Sequence, residues 1–125
     1  MIRKTFLTLS AFGLALFVLS FNSYAAGDAA KGSASFQTYC VACHGAGGKG
    51  DGAAAAALKP KPRDLSNAAY LSSKSDAHLT SVIKNGGAAA GLSPLMPPWG
   101  GALSDSDIAD VVAFIRKDLC KCEAK

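Results

Sequence analysis

Cys40-Val41-Ala42-Cys43-His44 spells C-x-x-C-H, the pattern that attaches a c-type haem. The spacing carries the chemistry. Residues three apart share a helix face, so both thiols can reach the vinyl groups of one porphyrin. His44 follows Cys43 directly, which offers its imidazole to the iron as the proximal ligand. Zinc through Cys and His ligands is the competing reading. A structural zinc site wants four ligands, and those nearest after this triplet are the distant His78, Cys120 and Cys122.

The first residues bear on the same question. Met1-Ile2-Arg3-Lys4 is a short basic start, an apolar run from Phe6 to Phe21 follows, and Ser23-Tyr24-Ala25 supplies small residues at two exit positions. This is the layout of a secretory signal. Cleavage is expected after Ala25, with Ala26 or Gly27 as alternatives, leaving residues 26–125 as one domain and 120–125 as a short tail. The other reading is a retained membrane anchor, for which the run is short against the roughly 20 residues a span needs. Export to the periplasm argues against thioredoxin-like chemistry at the C-x-x-C, because no βαβ pattern surrounds it.

The exported part is about 100 residues, one small domain. Losing Arg3 and Lys4 takes the formal net charge from +4 to +2. Two propionates would bring it near zero, and no dense Lys/Arg run remains, so nucleic acid is not an expected partner. Large apolar side chains are sparse after residue 26. A domain with so little core commonly needs a staple, and a covalently held haem would supply one.

Helical spacing organises the rest. Asp28 can cap a first helix from Ala29 to about Cys43, with Gly32, Phe36, Cys40 and Cys43 on one face. Gly45 to Gly52 must be loop, and it lacks the helix context of a nucleotide site. Ala53 to Leu58 can form a short helical turn that Lys59-Pro60-Lys61-Pro62 stops. Ser75 can cap a helix through Asn85 with a Leu79, Val82, Ile83 stripe, and Gly86-Gly87 ends it. His78 lies beside that stripe and reads as a surface or half-buried histidine. Gly91 to Gly101 is a loop holding Leu95-Met96-Pro97-Pro98-Trp99. Ser104, with Asp107 three residues on, can cap a last helix whose stripe is Ile108, Val111, Val112, Ile115 and Leu119. No alternating strand pattern follows residue 26. The fold class is all-α, with three to five helices and long loops around one cofactor.

Met96 is the only methionine after the leader. A lone Met is more often core filler. This one sits in a proline-stiffened loop rather than on a helix stripe, which suits a weak thioether ligand. Met96 is the expected sixth ligand. A Met/His pair fills both axial positions and raises the potential, which favours outer-sphere electron transfer over bond-making catalysis.

Gly32-x-x-x-Phe36, the haem motif with Gly45, the Lys59-to-Leu65 segment, Met96-Pro97-Pro98-Trp99 and the terminal helix together resemble a small bacterial class I monohaem cytochrome c. The resemblance runs through nearly all of residues 27–119. It implies one covalent haem (heme c) on Cys40 and Cys43, with His44 and Met96 axial. It implies that a proline carbonyl, Pro60 or Pro62, accepts the Nδ1–H of His44. It puts Arg63 and Trp99 near the propionates, against plainer readings as a solvated Arg and a core Trp. It also crosses the first and last helices near Gly32 and Phe36, against Val111, Phe114 or Ile115.

Cys120 and Cys122 depart from that pattern. They can bridge each other, link two chains, or stay reduced. The function implied is a periplasmic electron shuttle and not an enzyme, probed at a haem edge ringed by Lys49, Lys59 and Lys61. Its partners would be a membrane complex, dehydrogenase, oxidase or reductase, with the protein itself monomeric and not inserted in the membrane once cleaved. The alternatives are a permanent electron-transfer subunit of a larger complex, and, further off, a haem enzyme or gas sensor.

Overall fold

The computed structural model describes residues 26–124. The predicted leader and its cleavage site at Ala25 fall outside them. Among the described residues the regular structure is entirely helical: α1 Ala29–Tyr39, α2 Val41–His44, α3 Ala68–Ser72, α4 Asp76–Asn85 and α5 Asp105–Phe114. Short 3-10 turns occupy Ala55–Ala57 and Ala88–Ala90, and a π turn, Ile115–Leu119, prolongs α5. Among these residues no helix is long and apolar enough to cross a membrane.

The caps read from the sequence are in place. Asp28 accepts from the N–H of Ala30 at 2.9 Å, and Ser75 accepts from that of His78 at 3.1 Å. At α5 the capping box closes fully. Ser104 N–H donates to Asp107 Oδ2 at 2.9 Å while Asp107 N–H donates to Ser104 Oγ at 3.1 Å. Ser104→Ala is expected to cost about 1 kcal/mol in denaturant unfolding. The Ser104 hydrogen bonds hold the Asp107 carboxyl below its ordinary value of 3.8. A depressed carboxylate stabilises the fold above its unfolded pKa and stops doing so as pH falls through the folded one. Below pH 3.8 the wild type should therefore lose stability more steeply than Asp107→Asn.

The expected first helix is two helices. Cys40 has φ −115° and ψ −30°, which ends α1 at Tyr39 and starts α2 at Val41. Its N–H still bonds Phe36 O at 2.9 Å, and its own carbonyl accepts from His44 N–H at 2.9 Å. The break interrupts the helix at the motif's first residue, yet Phe36, Cys40 and Cys43 still face one cavity. Helix α3 was not expected at all. It is only five residues long, too short for a periodic stripe, and its one local signal is Asn67, whose side chain caps Tyr70 N–H at 3.0 Å.

Helices α1 and α5 cross as expected. Gly32 is buried, and a Cβ there would overlap the Asp110 carbonyl. One turn on, the Phe36 and Phe114 rings meet at 5.3 Å, tilted by 52°. Leu71, Ile108 and Val111 complete the most deeply buried set with Phe36. A second joint lies at the far end of α5. The buried Arg116 guanidinium donates to Asp76 Oδ1 at 2.8 Å, to Leu71 O at 2.7 Å and to Lys74 O at 2.5 Å. It thereby ties α5 to the end of α3 and the start of α4. Cys120 and Cys122 are joined in a disulfide beside it.

Candidate functional site

A cleft of about 410 Å³ opens between these elements. Phe36 and Tyr39 of α1, Leu71 of α3, Leu79 and Ile83 of α4, and Val111 and Ile115 of α5 give it apolar walls. Cys40, Cys43, His44 and Met96 all face into it, as do Pro60, Pro62, Arg63 and Trp99. Residues spread over sixty positions are thus gathered on one cavity, which their sequence separation alone did not require.

Backbone hydrogen bonds set the motif side of the cleft. After α2 the glycine-rich loop doubles back: Gly50 N–H donates to His44 O at 2.8 Å, Gly52 N–H to Cys43 O at 3.1 Å and Ala54 N–H to Ala42 O at 2.9 Å. Gly50 has φ +74°, and a Cβ there would strike the Pro62 carbonyl.

That contact explains a correction. Pro60 and Pro62 were the expected acceptors for His44, but the bond runs from His44 Nδ1 to Arg63 O at 3.1 Å. Pro62 O lies against Gly50, which leaves the next carbonyl, that of Arg63, to meet the imidazole. A carbonyl only accepts, so Nδ1 carries the hydrogen and Nε2 keeps its lone pair. Burial lowers the His44 pKa, opposed by the Arg63 hydrogen bond, which raises it. Cys40 is also a protonated thiol at neutral pH, pushed up to about 11 by burial and by the neighbouring Cys43.

The Met96 side is held by α4 as well as by prolines. Gly87 N–H donates to Met96 O at 3.0 Å, Trp99 N–H to Ile83 O at 3.0 Å and Gly100 N–H to Lys84 O at 3.0 Å. The last carbonyls of α4, which a helix leaves unpaired, become the anchor of the methionine loop. Trp99 also packs on Tyr39 with centroids 5.5 Å apart.

Tyr70 was missed by sequence reading because it belongs to α3. It lines the cleft, with the Arg63 guanidinium 4.4 Å and the Lys74 ammonium 5.2 Å from its ring centroid. Arg63 therefore supplies a carbonyl to His44 and a cation to Tyr70. Such a stack is worth about 0.5–1 kcal/mol at an exposed site. Tyr70→Leu should speed solvent exchange of the His44 Nδ1–H in NMR spectra, whereas Tyr70→Phe, which keeps the ring, should not. His78 sits half-buried at the cleft, as expected.

The donor set suits an iron porphyrin. Apolar walls would cover its faces, two thiols stand ready for thioether bonds, and an imidazole lone pair and a thioether are available as soft-to-borderline ligands.

The comparisons agree with this chemistry. The family model described as "Cytochrome C oxidase, cbb3-type, subunit III" matches residues 27–115. Cytochrome c-554(548) of Halomonas halodenitrificans is 43% identical over 91 residues, covering 71% of this chain and 94% of the relative. The cbb3-type cytochrome c oxidase subunit FixP of Bradyrhizobium diazoefficiens is 35% identical over 88 residues, 70% of this chain but only 27% of that longer protein. Among solved structures, the c-type cytochrome KustC0563 superposes with a TM-score of 0.54 at 20% identity, covering 69% of this chain and 94% of that one. That likeness speaks for the fold. With the family matched from Gly27 to Ile115 and a relative of nearly the same extent, the chain belongs to the cytochrome c family described by the cbb3-type subunit III model, as a small class I cytochrome c.

Proposed function

We propose that the chain is an exported one-electron carrier, holding a single haem through thioethers at Cys40 and Cys43, with His44 and Met96 as axial ligands. The observation that carries this reading is the convergence of those four side chains on one apolar cleft. When bound, the haem supplies an iron centre that cycles between the ferric and ferrous states. The chain's own residues supply the rest. Arg63 O holds the His44 ring in the tautomer that leaves Nε2 free. The α4 carbonyls keep the Met96 loop from swinging away. The walls give an apolar surface for the porphyrin faces, and the Arg63 and Trp99 side chains at the cleft are assigned to the propionates. A haem iron held by both His44 and Met96 would offer no open site to a substrate, in keeping with a carrier and not an enzyme or gas sensor.

In this reading residues 1–25 are a leader removed on export to the periplasm. The protein then works as a monomeric shuttle that docks by its exposed Lys49, Lys59 and Lys61. Docking of this kind is small, transient and salt-sensitive. Electron transfer to an acidic redox partner should slow markedly as salt rises, and salt-independent turnover would remove the shuttle reading. Intact mass of the exported protein tests the cofactor: one added porphyrin mass is expected, and none would end the proposal.

A second reading, a permanent subunit of an oxidase-type complex, is favoured by the family description and by the FixP relative. Tyr39, Leu92 and Leu95, exposed around the cleft mouth, would form part of such an interface. Co-purification with a larger complex through a high-salt wash distinguishes the two.

A further inference from the structure

We propose that Cys120–Cys122 is a thiol–disulfide exchange site for a small or protein dithiol, and that its state governs how firmly α3 is held against the cleft. The site requires only the oxidising setting proposed above, and does not depend on which residues bind the iron.

The geometry distinguishes the two sulfurs. Cys120 is 5% exposed, whereas Cys122 is partly open. An incoming thiolate therefore meets Cys122 Sγ. It bonds to that sulfur, the S–S bond breaks, and the electron pair leaves on Cys120 Sγ, which takes a proton. Carbonyl oxygens of Arg116 and Cys122 lie 3.7 Å from Cys120 Sγ, placed to accept the thiol hydrogen so created. The reagent's second thiol then attacks its own sulfur in the mixed disulfide and releases Cys122. The balance is two electrons and two protons to the protein, and one disulfide formed in the dithiol. In that second step charge develops on Cys122 Sγ, and the Arg116 guanidinium is 3.7 Å from it. A fixed cation beside a sulfur stabilises its thiolate.

Opening the bond has a structural outlet. Lys121, between the two cysteines, has φ +49°, a left-handed conformation that a lysine adopts at a cost. Ring closure sustains that conformation. It also seats Cys122, whose N–H donates to Arg116 O at 3.0 Å, as a cover on the arginine. Beneath that cover Arg116 holds the carbonyls of Leu71 and Lys74. Leu71 is fully buried and lines the cleft. Once the bond is open Lys121 relaxes, the tail frays, and water reaches the guanidinium that anchors α3.

The haem-loaded protein can be equilibrated with mixtures of reduced and oxidised dithiothreitol, quenched, alkylated and weighed intact. The expected result is a single transition that adds two alkyl groups with the far-UV circular dichroism unchanged. Amide exchange should then quicken across α3 and the start of α4, but not across α1. Lys121→Gly should shift the equilibrium toward the disulfide roughly fivefold, and Lys121→Val should shift it the other way. Release of thiols only after helical signal is lost would overturn the proposal by making the bond a passive staple. So would opening that leaves α3 exchange unaltered, or Lys121 variants that titrate like the wild type.

Discussion

Gly32→Ala should destabilise the protein by about 3 kcal/mol, and Gly32→Val should leave no cooperative unfolding transition. Replacing a mid-helix glycine with alanine ordinarily stabilises by about 0.5–1 kcal/mol. The reversed sign is the test. A Cβ at Gly32 would run into the carbonyl of Asp110, with the amide of Val111 next. Both are backbone, so no rotamer change relieves the overlap. The helices must part, and parting them opens the Phe36–Phe114 contact one turn away. In a domain whose whole stability is about 5–15 kcal/mol, that is a large share. Gly47→Ala is the control, since its new methyl would meet nothing nearer than Lys49 side-chain atoms at 3.9 Å. Denaturant unfolding followed by circular dichroism should show the first variant shifted and the control within about 0.5 kcal/mol of wild type. Equal behaviour of the two would mean that α1 and α5 do not cross at Gly32.

Met96→Ala should leave the porphyrin attached while abolishing the weak absorption near ~695 nm that reports a thioether on ferric iron. The reduction potential should fall by on the order of 100 mV, because axial ligation is the strongest lever on it. The reduced variant should also bind carbon monoxide, which the wild type should not. These changes follow from removing the only sulfur that the described residues bring to the cleft besides the thiols of Cys40 and Cys43. A variant that keeps the band and resists carbon monoxide would show that another side chain fills the sixth position. Intact mass separates this outcome from simple loss of the cofactor.

The elements that sequence made legible are those whose signal is local and repeated. The α5 stripe from Ile108 to Leu119 and the Ser104 cap are of this kind, as is the C-x-x-C-H pentad. Gly32 was readable too, because a glycine in mid-helix asks for a reason. The Cys40 break was not, since nothing in Tyr39-Cys40-Val41 opposes a continuous helix. The choice of Arg63 O over a proline carbonyl depends on which carbonyl of the segment is turned toward the imidazole. That is set by the contact of Pro62 O with Gly50, twelve positions away, not by the segment itself. Arg116 looks like any helix-surface arginine. Its burial follows from carbonyls at Leu71 and Lys74, more than forty residues away. Such long-range hydrogen bonds leave no periodic trace.

The doubled-back glycine loop also bears on how the protein is made. Its bonds to the carbonyls of Ala42, Cys43 and His44 are main chain to main chain. They fix the main chain around the motif without drawing on any side chain. The motif's thiols and imidazole are therefore posed by main-chain bonds rather than by neighbouring side chains. A fault in this loop would show as poor yield of mature protein in the cell, while any molecules that did mature would carry electrons at a normal potential.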